Sequence, residues 1–153
     1  MNRYLHSLFV LVFALASTSC GSSGGSNLLL TNFSGVWQVT FNNILDDCGL
    51  LEEGTDTFED QHTIMQTGSD VHLDADQLPG GTYDGGKDGE NSFVVSSRLE
   101  GDLFGTGFNC VLTEDLRYTS SDTNIADLLY NIHVVCEDSS SCDSAIRGVG
   151  FLE

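Results

Sequence analysis

The sequence predicts an all-β fold of about eight short antiparallel strands. The chain has 153 residues with 17 Gly and nine Phe, and Thr and Val recur along it, a composition that disfavours a helical bundle. Segments in which apolar and polar residues alternate follow one another closely, with turn-forming residues between them. Such spacing is typical of a sandwich or an up-and-down barrel. The sequence shows no repeat of fixed period, which argues against a propeller or a solenoid.

The first segment, residues 1–19, is predicted to be a signal peptide. It begins with one cation, Arg3, continues in an apolar run from Leu8 to Ala16, and ends in Ser and Thr. A run this short cannot span a bilayer as a stable helix, and the three-part pattern is that of an export signal. Cleavage before Cys20 or, alternatively, after Ala16 is expected, and the second would release a secreted protein.

A flexible tether of Gly and Ser follows Cys20 and completes the segment 20–26. This arrangement resembles the processing site of bacterial lipoproteins, in which such a Cys is acylated and becomes the mature N-terminus. The resemblance implies an extracytoplasmic protein held on the membrane by fatty-acid chains on Cys20. Because no Asp follows Cys20, the sorting tendency of that family implies the outer membrane of a diderm bacterium. Residues 27–153 are then one domain.

The clearest predicted strand covers residues 33–41, where Trp37, Val39 and Phe41 share one face. Residues 42–54 contain clustered Asn, Asp, Cys and Gly, which is typical of a loop. Three more strand segments are predicted in this half of the chain: 57–67, 71–75 and 80–89. The last is a Gly-rich stretch that has room for only a short strand.

The second half of the chain is predicted to contain four strands, and in the second of them alternate residues share one face: Phe108, Cys110, Leu112 and Leu116. For the third strand, the residues after Asp122 or Thr123 could instead form a short helix capped by one of these two residues. Strand parity favours instead a strand from Asp127. The predicted bounds are 92–99, 105–118, 127–136 and 146–152.

Gly35 and Trp37, preceded by Phe33, resemble the opening of lipocalins and of the wider calycin-like barrels, in which the Trp plugs one end. The strand, Gln-x-Gly turn and strand of residues 64–71 are similar to those of small bacterial lipoproteins with lipocalin-like domains. The resemblance implies an antiparallel up-and-down barrel of about eight strands. A two-sheet β-sandwich is the alternative.

Four cysteines remain once the acylation candidate is set aside: Cys48, Cys110, Cys136 and Cys142. An even number in an exported domain predicts two disulfides, and two connectivities are open. In the first, a hairpin folded at 120–124 brings Cys110 opposite Cys136. Cys48 then pairs with Cys142. In the second, Cys136 and Cys142 close the short polar loop between them.

The charge is strongly negative, with five basic and 23 acidic residues and a net value of −18. Loss of Arg3 with the signal peptide leaves four basic against 23 acidic residues, or −19. Such a surface repels phosphates, so we expect no nucleic-acid partner. The acidity either attracts a cationic partner or metal ions, or keeps a tethered domain soluble in a salt-rich habitat.

No catalytic residue is nominated and no enzyme activity is expected. The chain lacks a Gly-x-Ser-x-Gly elbow, and a carboxylate pair carries no information among 23 acidic residues. Cysteines and histidines show no metal-ligand spacing, and no cofactor is expected. An acidic loop contains three carboxylates that could bind calcium: Asp84, Asp88 and Glu90. Their spacing is not that of an EF-hand. The alternative is a solvated acidic loop.

The inward-facing rows of two predicted strands offer an apolar interior, and we expect them to line a ligand site: Trp37, Val39, Phe41, Phe93 and Val95. The sequence therefore predicts a membrane-anchored module that binds a small apolar ligand. The alternative is an envelope structural or protein-interaction lipoprotein whose small barrel is filled by these side chains.

Overall fold

A computed structural model describes residues 32–50 and 55–153, so the predicted signal peptide and Cys20 lie outside the described residues. Eight strands run through the described chain: β1 (Gly35–Asp46), β2 (Phe58–Thr67), β3 (Asp70–Ala75), β4 (Thr82–Lys87), β5 (Ser92–Gly101), β6 (Cys110–Asp122), β7 (Ile125–Cys136) and β8 (Ser141–Leu152). No helix in these ranges is long and apolar enough to cross a bilayer.

The strands pair antiparallel in sequence order, and β1 also pairs with β8, which closes a barrel. Buried and solvent-facing residues alternate along the strands because successive side chains point to opposite faces. On β7, for example, every second residue from Ala126 to Val134 is buried. The predicted up-and-down barrel is confirmed, and the continuous ladder excludes the two-sheet sandwich.

Strand β6 begins at Cys110, later than the predicted start at residue 105. Gly105 and Gly107 take positive φ values of 66° and 81°, which a strand does not contain and which Gly adopts without steric cost. The predicted inward position of Phe108 is therefore wrong: Phe108 lies in the loop before β6 and is 46% exposed.

Other predicted bounds change as well. The segment after residue 125 is a strand from Ile125 onwards and has no helical start. Strand β8 begins at Ser141, five residues before the predicted start. Strand β1 continues through the predicted loop to Asp46, and an irregularity between Phe41 and Asn43 shifts its register with β8.

The end of the barrel where the chain enters β1 is closed by aromatic side chains, and we call it the base. The Trp37 indole N–H donates a hydrogen bond to the Phe33 carbonyl oxygen at 2.8 Å. Phe33 meets Phe93 edge to face with ring centroids 4.8 Å apart, and Phe93 stacks on Tyr118 at 4.8 Å. Trp37 thus plugs one end of the barrel, as the lipocalin resemblance implied.

The opposite end carries the loops after β1, β3, β5 and β7, and we call it the mouth. Both disulfides lie there. Cys110 and Cys136 are direct cross-strand partners on β6 and β7. Cys48, in the loop after β1, is bonded to Cys142 on β8. The two predicted disulfides are confirmed, with the first of the two connectivities.

Candidate functional site

The five predicted ligand-lining residues all point into the barrel and are at most 1% exposed: Trp37, Val39, Phe41, Phe93 and Val95. They pack against other large buried side chains. Phe41, for instance, lies with its ring centroid 5.9 Å from that of Tyr130. The two cavities described below are lined by other residues. These five side chains therefore form the packed interior of the barrel.

An apolar recess of ≈200 Å³ opens at the mouth, and we call it the mouth recess. Its walls combine barrel positions with loop residues: Tyr130, Ile132, Ile146, Phe58, Leu50 and Leu78. The Phe58 ring stacks on Phe41 at 4.6 Å, so the recess continues directly from the core. The sequence did not reveal it, because Leu50 and Leu78 belong to loops whose position only the closed barrel defines.

A buried carboxyl lies close to this recess, joined to it through Tyr130. Glu114 on β6 is fully buried, and its Oε1 accepts hydrogen bonds from the hydroxyls of Tyr83, at 3.1 Å, and Tyr130. Its Oε2 is buried with no hydrogen-bond partner among the described residues. A Cβ at Gly80 would lie 2.5 Å from that Oε2, so only Gly lets the loop after β3 pass so close to the carboxyl.

Burial sets the protonation of this cluster. Removal from water raises the pKa of Glu114 above its ordinary value, and the two tyrosine hydrogen bonds only partly oppose the shift. Burial also raises the pKa of Tyr83 and of Tyr130, with the Glu114 charge adding to the effect. The two hydroxyls therefore keep their protons and act as donors to Glu114.

We expect Glu114→Gln to remove a loss of stability at high pH. Because the pKa of Glu114 is raised by folding, its stabilising contribution is complete below the unfolded value and is lost as the pH rises through the folded value. Gln has the same shape, still accepts from both tyrosines and never ionises. The measurement is the free energy of unfolding in urea at pH 4 and pH 8, and the stability of the variant relative to the parent should rise from the lower to the higher pH.

The control for that experiment is Glu59→Gln, because Glu59 is an exposed carboxylate on β2. In a chain of charge −18, loss of any carboxylate relieves repulsion, and this variant measures that general effect. Equal gains for the two variants would contradict a specific role of burial at Glu114.

A second buried polar chain crosses the interior from β2 to β6. The Asp60 carboxylate lies 3.1 Å from His62 Nε2, and His62 Nδ1 contacts the Tyr118 hydroxyl. Because a carboxylate only accepts, Nε2 carries a hydrogen and Nδ1 pairs with the hydroxyl. All three side chains are at most 2% exposed, so the chain is closed to solvent and is part of the core.

The alternation of residues along β2 and β6 places the side chains of both buried polar clusters on the inward face. Asp60 and His62 share parity with Ile64 on β2, and Glu114 lies between Leu112 and Leu116 on the buried face of β6. Polar residues at inward positions are rarely buried unless partnered. An inward-facing polar residue therefore indicates a partnered group in the core, and neither Asp60 with His62 nor Glu114 was predicted as one.

In the predicted calcium loop, Asp84 and Asp88 are bound to other side chains of the protein. Asp84 accepts a hydrogen bond from His72 Nδ1 at 2.6 Å. Asp88 accepts from the Ser92 hydroxyl at 2.7 Å and pairs with Arg117, which together hold the pKa of Asp88 below its ordinary value. Across the described residues, no group of three or more His, Cys, Asp or Glu is arranged to hold a metal ion. We therefore propose no calcium site at Asp84, Asp88 and Glu90.

A second cavity, of ≈330 Å³, lies beside the disulfides at the mouth, and we call it the aromatic groove. It is lined mainly by Phe104 and Phe108 from the loop after β5, by Val134 of β7, and by the disulfide cysteines Cys48, Cys136 and Cys142. The mouth recess and the aromatic groove share no lining residue. The mouth therefore presents two separate apolar surfaces.

Comparison with protein-family models, curated proteins and solved structures finds no match to this chain. The barrel architecture accordingly stands on strand pairing and on the position of Trp37 at the base.

Proposed function

We propose that the protein is a lipid-anchored extracytoplasmic lipoprotein with a lipocalin-like barrel, and that it binds a small apolar molecule in the mouth recess. The observation that carries the proposal is the recess itself, an apolar opening of ≈200 Å³ continuous with the core. An apolar cavity of about 150 Å³ is enough to bind benzene in a protein interior. The packed interior below it limits the ligand to about one or two rings.

The direction of the chain supports the anchored arrangement. The described chain enters the barrel at the base, where Asn32 and Phe33 precede β1. A lipid on Cys20 would therefore be joined through the Gly/Ser tether to the base. The mouth recess lies at the other end of the barrel and would stay accessible from the aqueous side.

The packed interior supports a second candidate, an envelope structural or interaction protein that binds no small molecule. Three tyrosines and Trp37 are among its largest fully buried side chains, and a filled barrel needs no ligand for stability.

We expect naphthalene to bind the mouth recess and Gln77→Trp to weaken this binding by about tenfold, because loss of apolar contact area costs ~25 cal/mol per Å². Gln77 is an exposed residue at the edge of the recess, so an indole there can fill it without disturbing the core. The measurement is a titration followed by tyrosine and tryptophan fluorescence. The matched control is Gln38→Trp, an exposed position on β1 outside the recess.

Native mass spectrometry of the protein purified from its own membrane separates the two candidates. The intact mass reports whether Cys20 carries acyl chains, and the complex mass reports a retained ligand. The small-molecule proposal is rejected, and the structural candidate favoured, if the acylated protein carries no ligand throughout and both Trp variants bind naphthalene equally.

A further inference from the structure

The loop after β5 exposes three large apolar side chains within six residues. Leu103, Phe104 and Phe108 are 37%, 43% and 46% exposed. Contiguous exposed apolar surface on a soluble domain marks interaction sites more often than chance. Phe104 and Phe108 also line the aromatic groove, so the exposed rings border a concave surface.

This loop has a defined backbone. The Asp102 carboxylate accepts hydrogen bonds from the Thr106 and Gly107 N–H groups, at 2.9 and 3.0 Å. Asn109 donates from Nδ2 to the Glu137 carboxylate at 3.2 Å, which ties the loop to the turn between β7 and β8. A surface ordered before binding loses less conformational entropy when a partner docks.

The charge around the groove restricts what can cover it. Asp138 lines the groove, and the described residues of the mouth loops contain six carboxylates and no Lys or Arg: Asp47, Asp56, Asp76, Asp102, Glu137 and Asp138. A second copy of this chain, itself at −18, and an anionic lipid surface would both be repelled. A cationic partner would be attracted.

We propose that the aromatic groove is a docking surface for a basic segment of a partner protein, in which an aromatic or aliphatic side chain is flanked by Lys or Arg. The apolar side chain enters between Phe104, Phe108 and Val134, and the flanking cations lie against Asp138 and the neighbouring carboxylates. This goes beyond the small-molecule recess, with which the groove shares no lining residue.

The test uses a fluorescein-labelled hexapeptide of alternating Lys and Phe as the probe, with the protein expressed from its full sequence. Fluorescence anisotropy should show binding that Phe104→Ser with Phe108→Ser weakens by about tenfold or more, because central aromatic contacts dominate such interfaces. Asp138→Asn, which keeps the acceptor that Ser140 uses, should weaken it by about threefold at low salt. Raising the ionic strength from ~0.02 M to ~0.3 M should abolish the Asp138 effect.

The controls lie away from the mouth: Phe151→Ser, a 51% exposed ring on the outer face of β8, and Asp127→Asn, exposed on β7. Both should bind the probe like the parent. Equal binding by the groove and control variants would overturn the proposal, as would equal binding of a Glu/Phe peptide. Dimerisation or binding to anionic vesicles that depends on Phe104 and Phe108 would also overturn it. Naphthalene binding should be unchanged in the groove variants, which separates this outcome from the mouth recess.

Discussion

Replacing Cys48 and Cys142 together by Ala is expected to lower the free energy of unfolding by about 4–5 kcal/mol. This disulfide joins residues with a sequence separation of 94, which the nested Cys110–Cys136 disulfide shortens by 26 to 68. Its loss returns the entropy of an open loop of that length to the unfolded chain. The second disulfide spans only 26 residues, so the same double replacement at Cys110 and Cys136 should cost about 3.5 kcal/mol. Urea unfolding of both variants, compared with the oxidised parent, measures the difference.

Hydrogen bonds remain to hold the segment after β1 when the Cys48–Cys142 disulfide is absent. The Ser144 hydroxyl donates to Asp46 at 2.9 Å and accepts from the Cys48 N–H at 3.2 Å. The native fold should therefore persist, with far-ultraviolet circular dichroism of the parent. If this variant loses less stability than the Cys110 and Cys136 variant, the stabilisation by each disulfide is determined by the native state and not by the loop entropy of the unfolded chain.

Sequence reasoning succeeded where one local pattern determines one local structure. The alternation in β1 predicted which of its residues face inward, and the polar turn near residue 123 gave the pairing of Cys110 opposite Cys136 as one of two open alternatives, which is the one observed. Both depend on contacts between neighbours in the sheet, and parity or hairpin symmetry encodes them. Barrel closure by the β1–β8 pairing is not encoded locally: the strand spacing allowed a barrel or a sandwich, and only the family resemblance favoured the barrel.

The sequence did not predict the position of residues whose burial depends on loop conformation or on a partner distant in the sequence. Phe108 has the parity of the β6 core, but the left-handed conformations of Gly105 and Gly107 place it in a loop. Leu78 lies between Gln77 and Pro79 in a loop outside any alternating pattern, and it is buried because this loop packs over the barrel. The candidate surfaces at the mouth consist largely of such residues, so composition and periodicity could not locate them.

Asp60→Ala is expected to cost about 3–5 kcal/mol, because it removes the acceptor of several donors in the core and each buried donor left unpaired costs about 1–3 kcal/mol. The Asp60 Oδ1 accepts hydrogen bonds from three backbone N–H groups, those of Gln61 at 2.8 Å, Asp76 at 3.1 Å and Gln77 at 3.0 Å. Its Oδ2 pairs with His62. Truncation removes this acceptor from the Gln61 and Gln77 N–H groups, while the Asp76 N–H keeps the Gln61 carbonyl oxygen at 3.1 Å. Urea unfolding at neutral pH measures the cost.

Asp60→Asn separates the two functions of this carboxylate. The amide oxygen can still accept from the three backbone groups, but its NH₂ then faces His62 Nε2, so the imidazole must move its hydrogen to Nδ1 and accept at Nε2. Tyr118 must in turn accept at its hydroxyl from His62. The expected loss is about 1–3 kcal/mol, and it should change when Tyr118 is replaced by Phe, because the hydrogen that moves to His62 Nδ1 then has no acceptor. Additive losses in the double variant, or a cost for Asp60→Ala no greater than for the exposed Asp127→Ala, would show that the Asp60, His62 and Tyr118 chain contributes nothing specific to the core.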